Sequence, residues 1–364
     1  MSDEPEQPSQ REDFPMQWMI YGATGYTGRL IAAEAARRGL QPVLAGRNEA
    51  ALRVLADELG LRWRQFPLDL PTAVEEGLRG IDLVLHCAGP FSATSAPMLE
   101  GCLARRTHYL DITGEIDVFA HCHAQHARAQ EAGIVVAPGV GFDVVPSDCL
   151  AAQLHRDNPW ATSLVLAFEG GGGFSPGTAK TSVEGLGSGG RVRENGELKR
   201  VPLAWKTRTF TRDGADRMAM TIPWGDVYTA YVSTGIPDIE VYTTASPKSI
   251  ARIRRLRMLG PLLRMQVVQR WLKRRVERSV KGPDARTRAD TQAHFWGEVR
   301  GNGRAQVRRM VTPNGYALTV DASLGIVQCF LDNPAPPGGY YTPSQLMGPD
   351  YVLELPGVAI VGPV

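Results

Sequence analysis

The sequence predicts an α/β fold in two parts: a doubly wound parallel sheet, then an α+β domain with a mostly antiparallel sheet. Three observations carry this. Residues 17–47 read as strand, glycine turn, helix and strand, the unit that begins a parallel sheet. Strand-like and helix-like stretches then alternate up to residue 145, giving five or six strands. From Ser163 the rhythm shifts to alternating, half-buried strands with turn signals between them. A chain of 364 residues exceeds one ordinary core, so we expect domains at 17–145 and 146–340 behind an acidic, disordered tail at 1–16.

"QWMIYGATG" begins as an apolar run suited to a buried parallel strand and ends in Gly22. After Gly28, "RLIAAEAARRG" places Leu30, Ile31, Ala35 and Ala36 on one helical face and stops at Gly39; "QPVLAGR" is the next strand. Gly22 permits the tight turn, Gly25 lets a phosphate approach the backbone, and Gly28 allows close helix–strand packing. Thr24 and Thr27 add hydroxyl donors, and the helix start turns N–H groups toward a pyrophosphate. Gly22, Gly25 and Gly28 stand three apart, looser than the commonest dinucleotide fingerprint, so context decides the reading. Nineteen residues after Gly28 comes Arg47, where an NAD enzyme carries an acid. A guanidinium suits a 2′-phosphate by charge and paired donors, with Asn48 assisting; a solvated turn arginine is the alternative. The expected cofactor is NADP(H).

"LRWRQFPLDL" supplies a third strand ending at Asp69, which either contacts the adenine or caps a helix. "IDLVLHCAGPF" supplies a fourth. Ligands of such sheets lie beyond the carboxyl ends of the strands, so Cys87, Ala88, Gly89, Pro90 and Phe91 are expected beside the nicotinamide. "THYLDITGE" is a fifth strand, and "GIVVAPGVGFDVVPSDCLA" a sixth with a glycine-rich turn. Hydride transfer needs orientation, dryness and sometimes a proton donor. Tyr109, Asp111 and Asp143 are the candidate catalytic residues, with His86, Tyr228 and Tyr231 as further options; each also reads as a structural hydrogen-bonding group. "HCHAQHARA" sits on an exposed helix without a second ligand cluster, so no metal is assigned.

In the second part "SLVLAFEG", "ELKRVPLAWKTRTF", "DIEVYTTA", "AHFWGEVRG", "RAQVRRMVT" and "YALTVDAS" are expected strands, and "PGTAKTSVEGLGSG" a helix. Asn302-Gly303 and Asn314-Gly315 are expected hairpin turns. The buried sheet face lines a cleft or a homodimer interface. Formal net charge is +2, yet Lys248 to Arg286 holds 13 Lys/Arg against 2 acids. There Leu263, Val267 and Trp271, with Val268, Leu272 and Val276, stripe a helix. Segment 250–278 is a core-packed helix with a basic back, or a docking face for an acidic acyl carrier protein or an anionic membrane. Sparse aromatics and no binding motif argue against nucleic acid. Five scattered cysteines without C-x-x-C fit a reducing cytoplasm, and no apolar run is long enough to span a membrane.

"GATGYTGRLIA", "AGR", "HCAGPF", "YLDITGE", "PGVGFDVVPSDCLA" and "GTAKTSVEGL" together resemble the saccharopine dehydrogenase-like oxidoreductases, and within them the trans-acting enoyl reductase branch. The resemblance covers residues 17–205 and returns at "GGYYTPSQLMGPDYVLELPGV". It implies a Rossmann domain for NADP(H), a second domain shaping the substrate site, and a C-terminal helix at about 341–364 packed on the first domain. It places Gly22, Thr24, Gly25, Tyr26, Thr27 and Gly28 at the phosphates, and Ala45, Gly46, Arg47 and Asn48 at the 2′-phosphate end. Ala88, Gly89, Pro90 and Phe91 fall beside the nicotinamide, and Gly141, Phe142 and Asp143 at the domain crossing. The implied activity is reduction of an activated C=C bond, such as an enoyl thioester. The alternatives are a saccharopine-type imine reductase or secondary-amine dehydrogenase, and a non-catalytic NADP-binding protein at a lipid surface.

Overall fold

The chain folds around two sheets, described from a computed structural model for residues 16–263 and 265–362. Of the expected tail at 1–16, residues 1–15 lie outside the described residues. The first part runs β1 (Trp18–Tyr21), α1 (Tyr26–Arg37), β2 (Val43–Gly46), α2 (Glu49–Leu59), β3 (Trp63–Gln65) and α3 (Pro71–Gly77). It continues with β4 (Leu83–His86), α4 (Phe91–Arg105), β5 (His108–Asp111), α5 (Ile116–Ala124), α6 (His126–Ala132) and β6 (Val135–Ala137). β1, β2 and β4 are buried at every position, so their sequences are continuous apolar runs rather than alternations.

The second part opens with α7 (Val145–Asp157), β7 (Ser163–Glu169), α8 (Pro176–Ser188), β8 (Gly190–Glu194) and β9 (Glu197–Val201). Then come β10 (Thr207–Arg212), β11 (Ala215–Thr221), α9 (Asp226–Thr234), β12 (Asp238–Thr244) and α10 (Pro247–Leu256). α11 (Gly260–Leu263), α12 (Gln266–Ser279), α13 (Ala285–Asp290), β13 (Gln292–Gly301) and β14 (Arg304–Pro313) follow. The chain closes with α14 (Gly315–Asp332), β15 (Gly339–Tyr340), α15 (Pro343–Met347), α16 (Tyr351–Glu354) and β16 (Ala359–Ile360).

The first sheet has seven parallel strands in the order β15-β6-β5-β4-β1-β2-β3. The strand order reverses beside β1, between β2 and β4, and the end of β1 is where the glycine turn leaves the sheet. The second sheet has nine strands, along β10-β11-β12-β7-β13-β14-β16 with β8 and β9 branching from β12. Its pairings are antiparallel except β7 with β12. Helices α7 and α9 cover one face. One continuous core joins the two sheets, from Ile20 and Ile31 through Leu318 to Leu164 and Phe295.

Three expectations are corrected. "YALTVDAS" is not a strand but the first half of α14, and Asn314 is not a hairpin turn but its N-cap, accepting from the Tyr316 N–H at 2.9 Å. The apolar run continues to Phe330, too long for a strand, and the helix buries it between α1 and β14. The C-terminal stretch is not one helix over 341–364. Gly348 and the short α15 and α16 break it, and its strands join both sheets: β15 pairs β6, and β16 pairs β14. α14 contacts α1 of the first part as well as β14 of the second, and β15 extends the first sheet beside β6. Buried Asp148 fastens this return, accepting from Ser233 Oγ at 2.5 Å and the Ser344 N–H at 2.8 Å.

Candidate active site

At the carboxyl end of β1, Gly22 has φ +84° and lies against Ala88, whose backbone nitrogen would be 2.7 Å from any added Cβ. That contact locks the glycine turn to the end of β4. Gly28 is closer still: a Cβ there would collide with the Gly22 carbonyl. Only glycine lets α1 begin this near the strand. Gly25, by contrast, is exposed, and beyond the Gly22 carbonyl its surroundings are open. No side chain caps α1, so the N–H groups of its first turn remain available to a ligand. An open, glycine-faced helix start at the strand-order reversal fits a pyrophosphate.

Arg47 and Asp69 stand at the other end of this edge. Both charges act on the buried Tyr21 phenol, which burial pushes up to about 12 and which donates to the Phe66 carbonyl at 2.9 Å. Arg47 is exposed at the end of β2, and its guanidinium has no ion-pair partner among the described residues. Asn48 is engaged elsewhere: its Oδ1 accepts from the Ala51 N–H at 3.1 Å and caps α2. β3 is shorter than expected, ending at Gln65, so Asp69 lies in the loop before α3, exposed and not its cap. Tyr26 faces the second domain. It donates to the Pro283 carbonyl at 2.5 Å, receives Arg288 Nη1 at 3.0 Å, and meets the Tyr316 ring edge-on.

Beyond β4, Ala88 to Phe91 are fixed from two sides. Thr94 Oγ1 donates to the Ala88 carbonyl at 2.6 Å. The Glu115 carboxylate accepts from the N–H groups of Phe91 (2.9 Å) and Ser92 (2.7 Å), placing an anion on the start of α4. Glu115 was not singled out in the sequence; only a fold that brings β5 beside β4 gives it this role.

The candidate donors separate. Tyr109 and Asp111 are fully buried. Asp111 accepts from Tyr109 Oη at 2.6 Å and from the N–H groups of Thr113 and Gly139, both at 2.9 Å. Burial pushes its carboxyl up to about 6 against those donors. The pair staples β5 to the turn after β6 and does not face the cleft. His86 is also fully buried, among Tyr21, Phe91 and Tyr109, and burial holds it down to about 3, so it stays neutral. Tyr228 bonds His123 Nδ1 at 2.9 Å, and Arg193 sits 4.0 Å from the centre of the Tyr231 ring. The "HCHAQHARA" stretch is not a simple exposed helix: His123 stacks on Tyr340, and His126 Nδ1 accepts from the Tyr340 N–H at 3.0 Å, so both hold β15.

Asp143 differs from all of these. It is half-buried, and a Cβ on Gly114 would lie 2.8 Å from its Oδ2, which puts the carboxyl just past the end of β5, beside the residue that precedes Glu115. No hydrogen-bond donor reaches that carboxyl among the described residues, and burial alone pushes it up to about 7. Phe142 turns the other way. Its ring packs against Phe168, Phe295 and Gly315, so it wedges the second sheet rather than lining the nucleotide edge.

Fold and site together define a Rossmann-type dinucleotide-binding protein with a second-sheet domain closing over the carboxyl edge. Residues 18–137 match the family described as Saccharopine dehydrogenase NADP binding domain. Its cofactor is a nicotinamide dinucleotide. The chain is 25% identical over 221 residues to a saccharopine dehydrogenase-like oxidoreductase of Rattus norvegicus, covering 53% of this chain and 52% of the relative. It is 31% identical over 146 residues to a trans-acting enoyl reductase of Mycobacterium ulcerans, covering 38% and 35%. It thus spans about half or less of the relatives it matches. The apo saccharopine dehydrogenase (L-Glu forming) of Saccharomyces cerevisiae shares the fold, with a TM-score of 0.66 at 11% identity over 95% of this chain and 100% of that one.

Proposed function

We propose that the protein is an NADPH-dependent reductase of an activated carbon–carbon double bond, with an enoyl thioester as the substrate class. Gly22, Gly25, Gly28, Thr24 and Thr27 hold the pyrophosphate, Arg47 meets the 2′-phosphate, and Ala88 to Phe91 border the nicotinamide. When bound, the dinucleotide supplies the hydride. Asp143 keeps a proton on its carboxyl near neutral pH and delivers it to the reduced substrate. Phe142, the residue before it, packs with Phe168 and Phe295, and Phe168 with Trp224, an apolar cluster that excludes water from that side of the carboxyl.

The observation that carries this reading is the character of Asp143: a half-buried carboxyl, free of donors, whose shift has no cationic contribution. A saccharopine-type substrate brings amino-acid carboxylates, which call for arginines in the cleft. Arg212 and Arg217 instead pair with Glu169, on the face of β7 opposite Phe168. The enoyl reductase similarity, although partial, agrees. The test incubates the protein with NADPH and, separately, a 2-enoyl thioester or an imine formed from an amino acid and a keto acid. Cofactor consumption with the thioester supports the proposal; consumption with the imine alone overturns it.

A further inference from the structure

The basic segment carries more than a charge. α12 packs one side against α8, where Gln269 Nε2 donates to the Val183 carbonyl at 3.1 Å and Leu263 is buried. Val268, Leu272 and Val276 are half-buried on that inner side. The expected stripe is therefore split. Val267 is 64% exposed and Trp271 58% exposed, and with Arg270, Arg274 and Arg278 they form one outward stripe at helical spacing. Arg275 lies 5.8 Å from the centre of the Trp271 ring. The stretch just before α12 also exposes Met258 (84% exposed), Leu259, Leu262 and Met265, and α10 adds exposed Arg252 and Arg255.

Six large apolar side chains thus project into solvent within Met258–Trp271. None lines the cavity at the end of β7 or the one beside α1 and α14. They stand on helix surfaces, interleaved with arginines whose long stems let the guanidinium remain at a polar boundary while apolar neighbours sink. From Lys248 to Lys281 the sequence has a single acid, Glu277, against 12 Lys/Arg. An aromatic and thioether face ringed by cations matches a bilayer interface with anionic headgroups. No helix among the described residues is long and apolar enough to cross a membrane, so contact here means lying on the surface.

We infer that the outward face of residues 252–278 docks the protein on an anionic lipid bilayer, with Met258, Leu262, Met265 and Trp271 entering the headgroup boundary. This is independent of which substrate is reduced. An acidic protein partner would need a complementary groove for projecting side chains; a bilayer accepts them without one. The charge is too one-sided for a neutral membrane to suffice.

The test floats the full chain with vesicles of phosphatidylcholine, with and without about one-third phosphatidylserine. The expected result is flotation with the anionic vesicles only, weakening as salt rises, with a blue shift in fluorescence that Trp271→Phe removes. Reversing Arg270, Arg274 and Arg275 to Glu should weaken binding by at least about 100-fold, while the affinity for NADPH stays unchanged. Failure of the wild type to float at low salt overturns the inference, as does binding indifferent to salt or to lipid charge. Capture of an acidic acyl carrier protein through the same arginines, without vesicle binding, overturns it in favour of a protein partner.

Discussion

The two ends of the first sheet's carboxyl edge are built on different principles. At the nucleotide end the determinants are backbone: Gly22 pressed on Ala88, Gly28 pressed on Gly22, and an uncapped helix start. At the reaction end they are side chains assembled from distant turns, with Glu115 seated on α4, Asp111 bonded three times, and Asp143 left without a donor. A site made of backbone tolerates no added atom. A site made of side chains is set by which carboxyl receives hydrogen bonds and which does not.

The contrast is broken most severely at Gly28. A methyl group there occupies the space of the Gly22 carbonyl, so Gly28→Ala must move either α1 or the turn. The expected penalty exceeds about 4 kcal/mol, seen as an unfolded chain or as NADPH binding weakened by about 1,000-fold. Thermal melting and fluorescence titration measure the two. Near-normal binding by a folded Gly28→Ala would show that the phosphate loop is not held by this approach.

At the reaction end Asp143→Asn keeps the shape and removes the proton. Turnover is expected to fall about 100- to 1,000-fold. In the wild type the protonated carboxyl is the active form, so kcat/KM should decline as pH rises through about 7, and the variant should lose that limb. The stability effect has the opposite sign. The folded-state value is raised, so folding favours the protonated form and stability drains away as pH climbs from the ordinary carboxylate range to about 7. Asp143→Asn should therefore stabilise the fold at pH 8, by on the order of 2 kcal/mol. A variant that loses activity without gaining stability would mean the carboxyl is already hydrated in the cleft.

The nucleotide end was legible in the sequence for the same reason that it is brittle. A glycine required by close approach is visible as a glycine, and buried parallel strands are visible as unbroken apolar runs. The reaction end was legible only as a set of strand-end candidates. Tyr109 and Asp111 share one face of β5, so their bond is local, but nothing local says that Asp111 also receives the Gly139 N–H while Asp143 receives no donor, because that bond depends on β5 and β6 lying side by side. The same holds for β15, two residues long and defined only by its pairing with β6. α14 was misread because Asn314-Gly315 serves a helix start as well as a turn, and its sides, buried between α1 and β14, erase the helical period.

Arg47 sharpens the comparison as the side chain on which the choice between the two cofactors depends. Being exposed and unpaired, it contributes little to folding, and Arg47→Ala should leave the melting temperature unchanged. NADPH affinity should drop about 10- to 100-fold, as for a charged hydrogen bond lost, while NADH affinity holds. Equal losses for both cofactors would place the guanidinium on the shared part of the nucleotide and remove the basis for preferring the phosphorylated form.

The smallest effect is expected at Tyr109, and it bears on how the buried carboxyl beside the site should be read. Its hydroxyl is one of three donors to Asp111, and burial raises the phenol far above its ordinary value, so it does not ionise at any working pH. Tyr109→Phe removes one oxygen from a packed position without opening a cavity. The Asp111 carboxylate keeps the Thr113 and Gly139 N–H groups, so the loss should be about 1 to 2 kcal/mol of stability. The missing donor also makes the carboxylate harder to ionise, so the decline in stability, which in the wild type runs from the ordinary carboxylate range to about 6, extends to higher pH. Turnover and its pH profile should match the wild type, because the hydroxyl lies beneath the strand end and Asp143 lies beyond it. A fall in turnover at unchanged stability would reverse the assignment, making the Tyr109–Asp111 pair the proton source and Asp143 its neighbour.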